Sequence, residues 1–322
     1  MTDEARSDSL YRHAALTHAV TLPVLGHPVT YATNSTTVLS NIEQFYGRWR
    51  GLSPNVVSST TFTINVVLHE GDEGGHTPGF TYRMPMAERL LITTHGSSAV
   101  VEVDRKLAFA YVTSELVQNR EMLRSGMLDG MTLMLTTSVD RCFIHAAAIR
   151  TRDRLLLLTG RSGGGKSTLA YALLAAGYEV VSDDTVYVQM RPKPRLWWSG
   201  ERVSLLRSAA NEFAELRDIE PQLLTTGKVK LVIPLPTDSA PEPSCGVPLV
   251  CVLRHGERPN LTRLTPTEVH AMLTSHVEQG FELRPAQRAT VVEWLSERGG
   301  WQLTLSSRAA AAIPLIDEVL SW

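Results

Sequence analysis

The chain has 322 residues, 31 basic and 33 acidic side chains, and a formal net charge of −2. With 43% hydrophobic and 20% charged residues it is globular rather than disordered, and long enough for two domains at ~100–200 residues each. The near-neutral balance argues against nucleic acid as a partner, and Cys142, Cys245 and Cys251 show no CxxC spacing, which fits a reducing compartment and no cysteine zinc site.

The first fifteen or so residues are polar, lack the apolar stretch of a secretory signal, and read as a fraying tail. No apolar run approaches the ~20 residues needed to span a bilayer, so a soluble, cytoplasmic protein without a membrane partner is expected. From His18 to Thr113 the pattern is mostly extended, with β-branched and aromatic runs at 18–24, 27–33, 61–70, 80–85, 90–96, 99–104 and 107–113. One helix interrupts them over 37–49, capped by Asn34 or Ser35. Its Val38, Ile42, Phe45 and Trp49 form one stripe.

A second helical region, rich in Leu and Met, spans 115–135. Beyond Val139 strands alternate with helices, the pattern of a βαβ domain with a parallel sheet. The chain is thereby divided into a β-rich N-terminal domain, 1–138, and an α/β domain, 139–322. A sheet edge in the first can accept a peptide strand, which makes it a candidate recognition module. Residues 267–279 and 285–298 read as packing helices.

The strongest motif is Gly160-Arg161-Ser162-Gly163-Gly164-Gly165-Lys166-Ser167, which fits G-x-x-x-x-G-K-[ST] at every position. It follows the apolar run Leu155–Leu158 and precedes a helix over 166–176, so strand, glycine loop and helix come in the order a phosphate loop needs. Glycines let backbone N–H groups curl around an anion, and the helix N-terminus adds partial positive charge. Gly160, Ser162, Gly163, Gly164, Gly165, Lys166, Ser167 and Thr168 are therefore the candidate nucleotide contacts. Lys166 is placed to reach the β- and γ-phosphates, and Ser167 to offer its hydroxyl to Mg²⁺.

Seventeen residues after Lys166, a short strand ends in Ser182-Asp183-Asp184-Thr185. An acid at a strand's carboxyl end can hold Mg²⁺ or accept a proton from an attacking hydroxyl. Adjacent acids on an extended chain point to opposite sides, so unequal roles are expected. Three weaker candidates remain. Lys228 and Lys230 share one face of a strand, Arg254 ends the apolar run 249–253, and Arg161 lies within the loop itself. Trp197-Trp198 reads as core.

Three blocks carry a family resemblance: Phe143-Ile-His145-Ala-Ala-Ala-Ile149, Leu155 to Ser167, and Val180-Val-Ser-Asp183-Asp184-Thr-Val186. In order and spacing they resemble the catalytic domain of HPr kinase/phosphorylase. They are more similar still to the HPr-kinase-like proteins found with lasso-peptide and related peptide-tailoring systems. The resemblance covers 139–190. Arg161 stands where that family usually has an acid, and Thr168 where it usually has Glu.

The resemblance implies an α/β P-loop kinase domain of HPr-kinase type behind the β-rich N-terminal domain. It implies a kinase that uses ATP and Mg²⁺ to phosphorylate a hydroxyl, typically a serine of a peptide or small protein. Asp183 would be the general base, Asp184 would join Ser167 at the metal, and His145 would tune or position the acid. Lys166 completes the catalytic set. The partner expected is that peptide or small protein, with a homo-oligomer allowed. A small-molecule kinase and a nucleotide-gated binding protein without phosphotransfer are the alternative expectations.

Overall fold

The computed structural model describes residues 14–69, 79–86, 88–150, 155–225, 227–236, 242–275 and 284–322. The expected N-terminal tail, up to residue 13, and positions 276–279 of the expected packing helix lie outside them. The chain forms two compact units, one built mainly from residues up to Val139 and the other from Asp140 onward.

The first unit is a seven-stranded mixed sheet in the order β1-β2-β3-β7-β6-β5-β4. Its strands are β1 (His18–Val24), β2 (His27–Thr33), β3 (Phe62–His69), β4 (Thr81–Met86), β5 (Arg89–Thr94), β6 (Ser97–Glu102) and β7 (Leu107–Thr113). Strands β2, β3 and β7 are mutually parallel, and the others pair antiparallel. Helix α1 (Thr36–Tyr46) makes the crossover between β2 and β3. Ser35 caps it by accepting from the Val38 amide. Its stripe of Val38, Ile42 and Phe45 is buried, and Trp49 follows in a 3₁₀ turn rather than in the helix.

The Leu- and Met-rich region is not one continuous helix. It comprises α2 (Ser114–Gln118), a π-helical segment (Met122–Leu128) and α3 (Asp129–Thr137). A glycine within the wide turn packs closely on an aromatic pair. A Cβ on Gly126 would lie 2.2 Å from the Phe80 ring, and the Gly126 carbonyl accepts from the Tyr82 hydroxyl at 2.9 Å. Tyr31 stacks on Tyr46 and bonds Thr132, while Tyr46 donates to Asp129, tying α1, α3 and the sheet together.

The second unit contains an eight-stranded sheet in the order β12-β11-β8-β9-β16-β18-β17, with β10 also on β8. Its strands are β8 (Cys142–Arg150), β9 (Leu155–Thr159), β10 (Glu179–Ser182), β11 (Thr185–Gln189), β12 (Arg195–Trp198), β16 (Leu249–His255), β17 (Asn260–Leu264) and β18 (Gly300–Leu305). A separate three-stranded sheet, β13-β15-β14, is built from β13 (Arg202–Leu205), β14 (Gln222–Leu223) and β15 (Val229–Pro234).

The expected parallel sheet is corrected to a mixed one. Only β9, β16 and β18 are mutually parallel, and β8, β11, β12 and β17 pair antiparallel. Only four residues separate β8 from β9 in the sequence, fewer than the crossover a parallel neighbour requires. Helix α4 (Lys166–Ala175) covers one face of the sheet. Helices α6 (Pro266–Ser275) and α7 (Pro285–Ser296), which follow the short α5 (Arg207–Ala210), cover the other. Strand β9 is buried along its whole length, as its unbroken leucines require. Trp197 and Trp198 are core, with the buried Arg141 guanidinium 4.8 Å over the Trp197 ring.

Candidate phosphate-binding and acid site

Strand direction brings the site together. Strands β9 and β10 both run antiparallel to β8, and β16 runs parallel to β9. The carboxyl ends of β9, β10 and β16 therefore leave the sheet at the same edge. At that edge lie the glycine loop after Thr159, the acids after Ser182, and Arg254-His255.

The loop needs its glycines at two places in particular. Gly165, the residue before α4, has φ of 92°. A Cβ there would lie 2.7 Å from Leu305 Cδ1. At Gly160 a Cβ would come to 3.0 Å from the Leu253 carbonyl oxygen, because β16 runs alongside the loop. Within the loop the Gly164 amide donates to the Arg161 carbonyl at 2.9 Å. Lys166 is buried, and its ammonium donates to the carbonyls of Gly160 at 2.9 Å and Arg161 at 3.2 Å. Ser167 and Thr168 follow in the first turn of α4.

The acids occupy a break in the pairing of β8. Strand β11 pairs with its first half, His145 opposite Thr185, and β10 pairs with its second half, Ala148 opposite Ser182. Between these partners the chain turns at Ser182, whose hydroxyl bonds both the amide and the carbonyl of Thr185. The Asp184 carbonyl takes the Ala146 amide at 3.0 Å. This bend sends the two carboxylates into different surroundings.

Asp183 is 5% exposed. Its Oδ2 accepts from the Ser204 amide of β13 at 2.8 Å. Its Oδ1 is buried and accepts no hydrogen bond of standard geometry. Burial pushes the Asp183 carboxyl up to about 6, partly offset by the Ser204 amide, the nearby Ser167 hydroxyl and the Lys230 ammonium. Asp184 is exposed, and its Oδ1 lies 3.2 Å from His145 Nδ1.

The fold thus brings Ser167 to Asp183, and His145 to Asp184. Of the weaker sequence candidates, Lys230 faces Asp183 electrostatically, while Lys228 is exposed. Arg161 and Arg254 are exposed and line a pocket of about 340 Å³ on the β16 side of the loop. Two contributors carried no signal in the sequence. Ser204 acts through its backbone amide, and His255 bonds the Gly163 carbonyl at 3.0 Å.

A hard dication fits here. An orphaned buried carboxylate oxygen beside a serine hydroxyl is an all-oxygen donor set, and Mg²⁺ takes one or two carboxylates and completes its shell with phosphates and water. Among the described residues no group of three or more His, Cys, Asp or Glu converges. Nor is any helix among them long and apolar enough to cross a membrane.

No protein-family model matches the chain, and no curated protein matches it. Among solved structures, the HPr(Ser) kinase/phosphatase from Coxiella burnetii matches over 56% of this chain and 93% of that chain, at 15% sequence identity and a TM-score of 0.27. Similarity at that level carries no mechanistic weight, and the site stands on its own geometry.

Proposed function

We propose that the chain transfers the γ-phosphoryl group of ATP to a hydroxyl, that of a serine in a peptide or small protein. The observation that carries this reading is the meeting of a phosphate loop with a carboxylate pair at one sheet edge, Ser167 beside Asp183. In the reaction the acceptor oxygen bonds to the γ-phosphorus, the bond from that phosphorus to the β–γ bridging oxygen breaks, ADP leaves, and the acceptor's proton passes to a carboxylate. Loop amides and Lys166 hold the phosphates in line, which replaces solvent by fixed donors. When bound, Mg²⁺ would supply charge neutralisation to the phosphates, and Ser167 and one aspartate would hold it.

The geometry favours the reverse of the division of labour that the resemblance implies. Asp183 is the acid beside Ser167, with an oxygen left over, so we assign it to the metal. Asp184 is open to an incoming hydroxyl and lies 3.2 Å from His145 Nδ1, so we assign it as base. The other division has one argument in its favour: burial pushes the Asp183 carboxyl up to about 6, close to the range of a working base.

Phosphate transfer from labelled ATP into serine-containing peptides, beside Mg²⁺-ATP binding, tests both. Asp184→Asn is expected to bind Mg²⁺-ATP like the parent and to lose transfer by ~10²–10⁴-fold. Asp183→Asn is expected to lose the Mg²⁺ dependence of nucleotide binding. Exchanged phenotypes would restore Asp183 as base. Binding without any labelled product, from peptides or low-mass alcohols, would replace the kinase with a nucleotide-gated binder.

A further inference from the structure

We propose that His255 is a positioning residue for the phosphate loop, holding the Gly163 carbonyl so that the loop is shaped before an anion arrives. This rests on the phosphate-loop reading above and names the residue that prepares that site.

The sheet sets up the contact. Thr159, the last residue of β9, pairs with Val252, and β16 continues beyond it to His255. This overhang is supported from its other side by β18, where His255 pairs with Leu305. The end of β16 therefore stands beside the glycine loop with backing of its own. His255 Nε2 lies 3.0 Å from the Gly163 oxygen. A carbonyl can only accept, so Nε2 carries the hydrogen.

The bond falls where the loop has least to hold it. Gly163, Gly164 and Gly165 are consecutive, and Gly163 has φ of 78°. Such a run has the widest conformational choice in the chain and the largest entropy to lose on ordering. The peptide unit between Gly163 and Gly164 is gripped at both ends. His255 takes its oxygen, and its N–H donates to the Arg161 carbonyl at 2.9 Å.

Lys166 also grips the loop, at the Gly160 and Arg161 carbonyls. That grip competes with any phosphate the ammonium would bind, and the His255 bond does not. His255 thus holds the loop's shape while Lys166 is engaged with a ligand. Ordering paid in advance is affinity gained, the general effect of preorganisation.

Three variants of the full chain test this: His255→Ala, His255→Asn and His255→Gln. The Gln amide reaches as far as Nε2, whereas Asn stops short. Two readouts apply, amide hydrogen exchange over 160–166 in nucleotide-free protein, and the Kd values for Mg²⁺-ATP and Mg²⁺-tripolyphosphate. Ala and Asn are expected to exchange about 10-fold faster within the loop alone and to bind both ligands about 10-fold more weakly, one hydrogen bond's worth. Gln is expected to restore both, with Tm unchanged throughout. Parent-like exchange and affinity in Ala, failure of Gln to restore them, or a chain-wide rise in exchange would overturn the proposal. Absence of binding by the parent to either ligand would instead refute the phosphate-loop reading, with loop exchange still deciding the role of His255.

Discussion

The loop at Gly160–Ser167 and the bend at Ser182–Asp184 lie at the same edge of one sheet and are built by opposite means. The loop is made of backbone. Its glycines admit a conformation and a closeness to Leu253 and Leu305 that side chains would block. The bend is made of side chains sorted by burial. One carboxylate is sealed against Ser204 and the other is left open beside His145. A backbone cradle suits any phosphate, whereas in the proposed reaction the sorted acids decide what is done with it.

The sharpest way to break that contrast is to give the loop a side chain. Gly165→Val places a β-branched residue at a φ of 92° and against Leu305. Backbone strain and overpacking of about 1–3 kcal/mol each should weaken Mg²⁺-ATP binding by at least ~30-fold in a titration. Retention of parent affinity would show that the backbone does not set the cradle.

Removing the histidine beside the open acid should do less. His145→Ala leaves the loop and Asp183 untouched and takes away the partner 3.2 Å from Asp184. Turnover at saturating nucleotide is expected to fall about 10-fold with Kd unchanged. A matching loss of affinity would place His145 in nucleotide binding instead.

A third effect is on stability, and its sign runs against the usual damage from mutation. The folded Asp183 carboxyl sits at about 6 against an ordinary 3.8, so the native state holds its proton more tightly than the unfolded chain. Stability is then greatest, for this group, below the unfolded value, and is lost as pH rises through about 6. The loss amounts to roughly 3 kcal/mol at ~1.4 kcal/mol per pH unit. In EDTA, Asp183→Asn should melt higher than the parent at pH 8, and the advantage should vanish near pH 4. A variant less stable at both would mean that the ionised carboxylate is well accommodated.

The same contrast decides what could be read from sequence. Gly160, Gly165, Lys166 and Ser167 announce the loop because its demands are local, tied to spacing along a single strand–helix junction. The strands of the first unit were legible for a similar reason, since alternation and β-branching act within one segment. The environment of the acids was not. Ser204 and Lys230 reach Asp183 from a different sheet, and the contribution of Ser204 is an amide that any residue there would offer. The mixed sheet was equally hidden, because the direction of β8 against β9 depends on a short connection and not on the composition of either strand. His255 was overlooked because its role follows from how far β16 outruns β9, a property of register. In the region 114–137, helix-forming residues concealed a wide turn whose Gly126 packs under Phe80, a residue distant in sequence.

Strand β8, shared end to end between β11 and β10, has a bearing on how this chain tolerates changes of length. The bend between Ser182 and Thr185 looks like a surface turn, the kind of place where insertions and deletions usually accumulate. Here it sets the count between two strands paired to one partner. Dropping or adding a single residue would turn β11 over. Val186 and Val188 would then leave the core, and Gln189 would lose the indole of Trp197. Substitutions in this stretch trade chemistry, but its length is fixed by the sheet. Gaps in any alignment of relatives should therefore fall elsewhere, even where the acids themselves have been replaced.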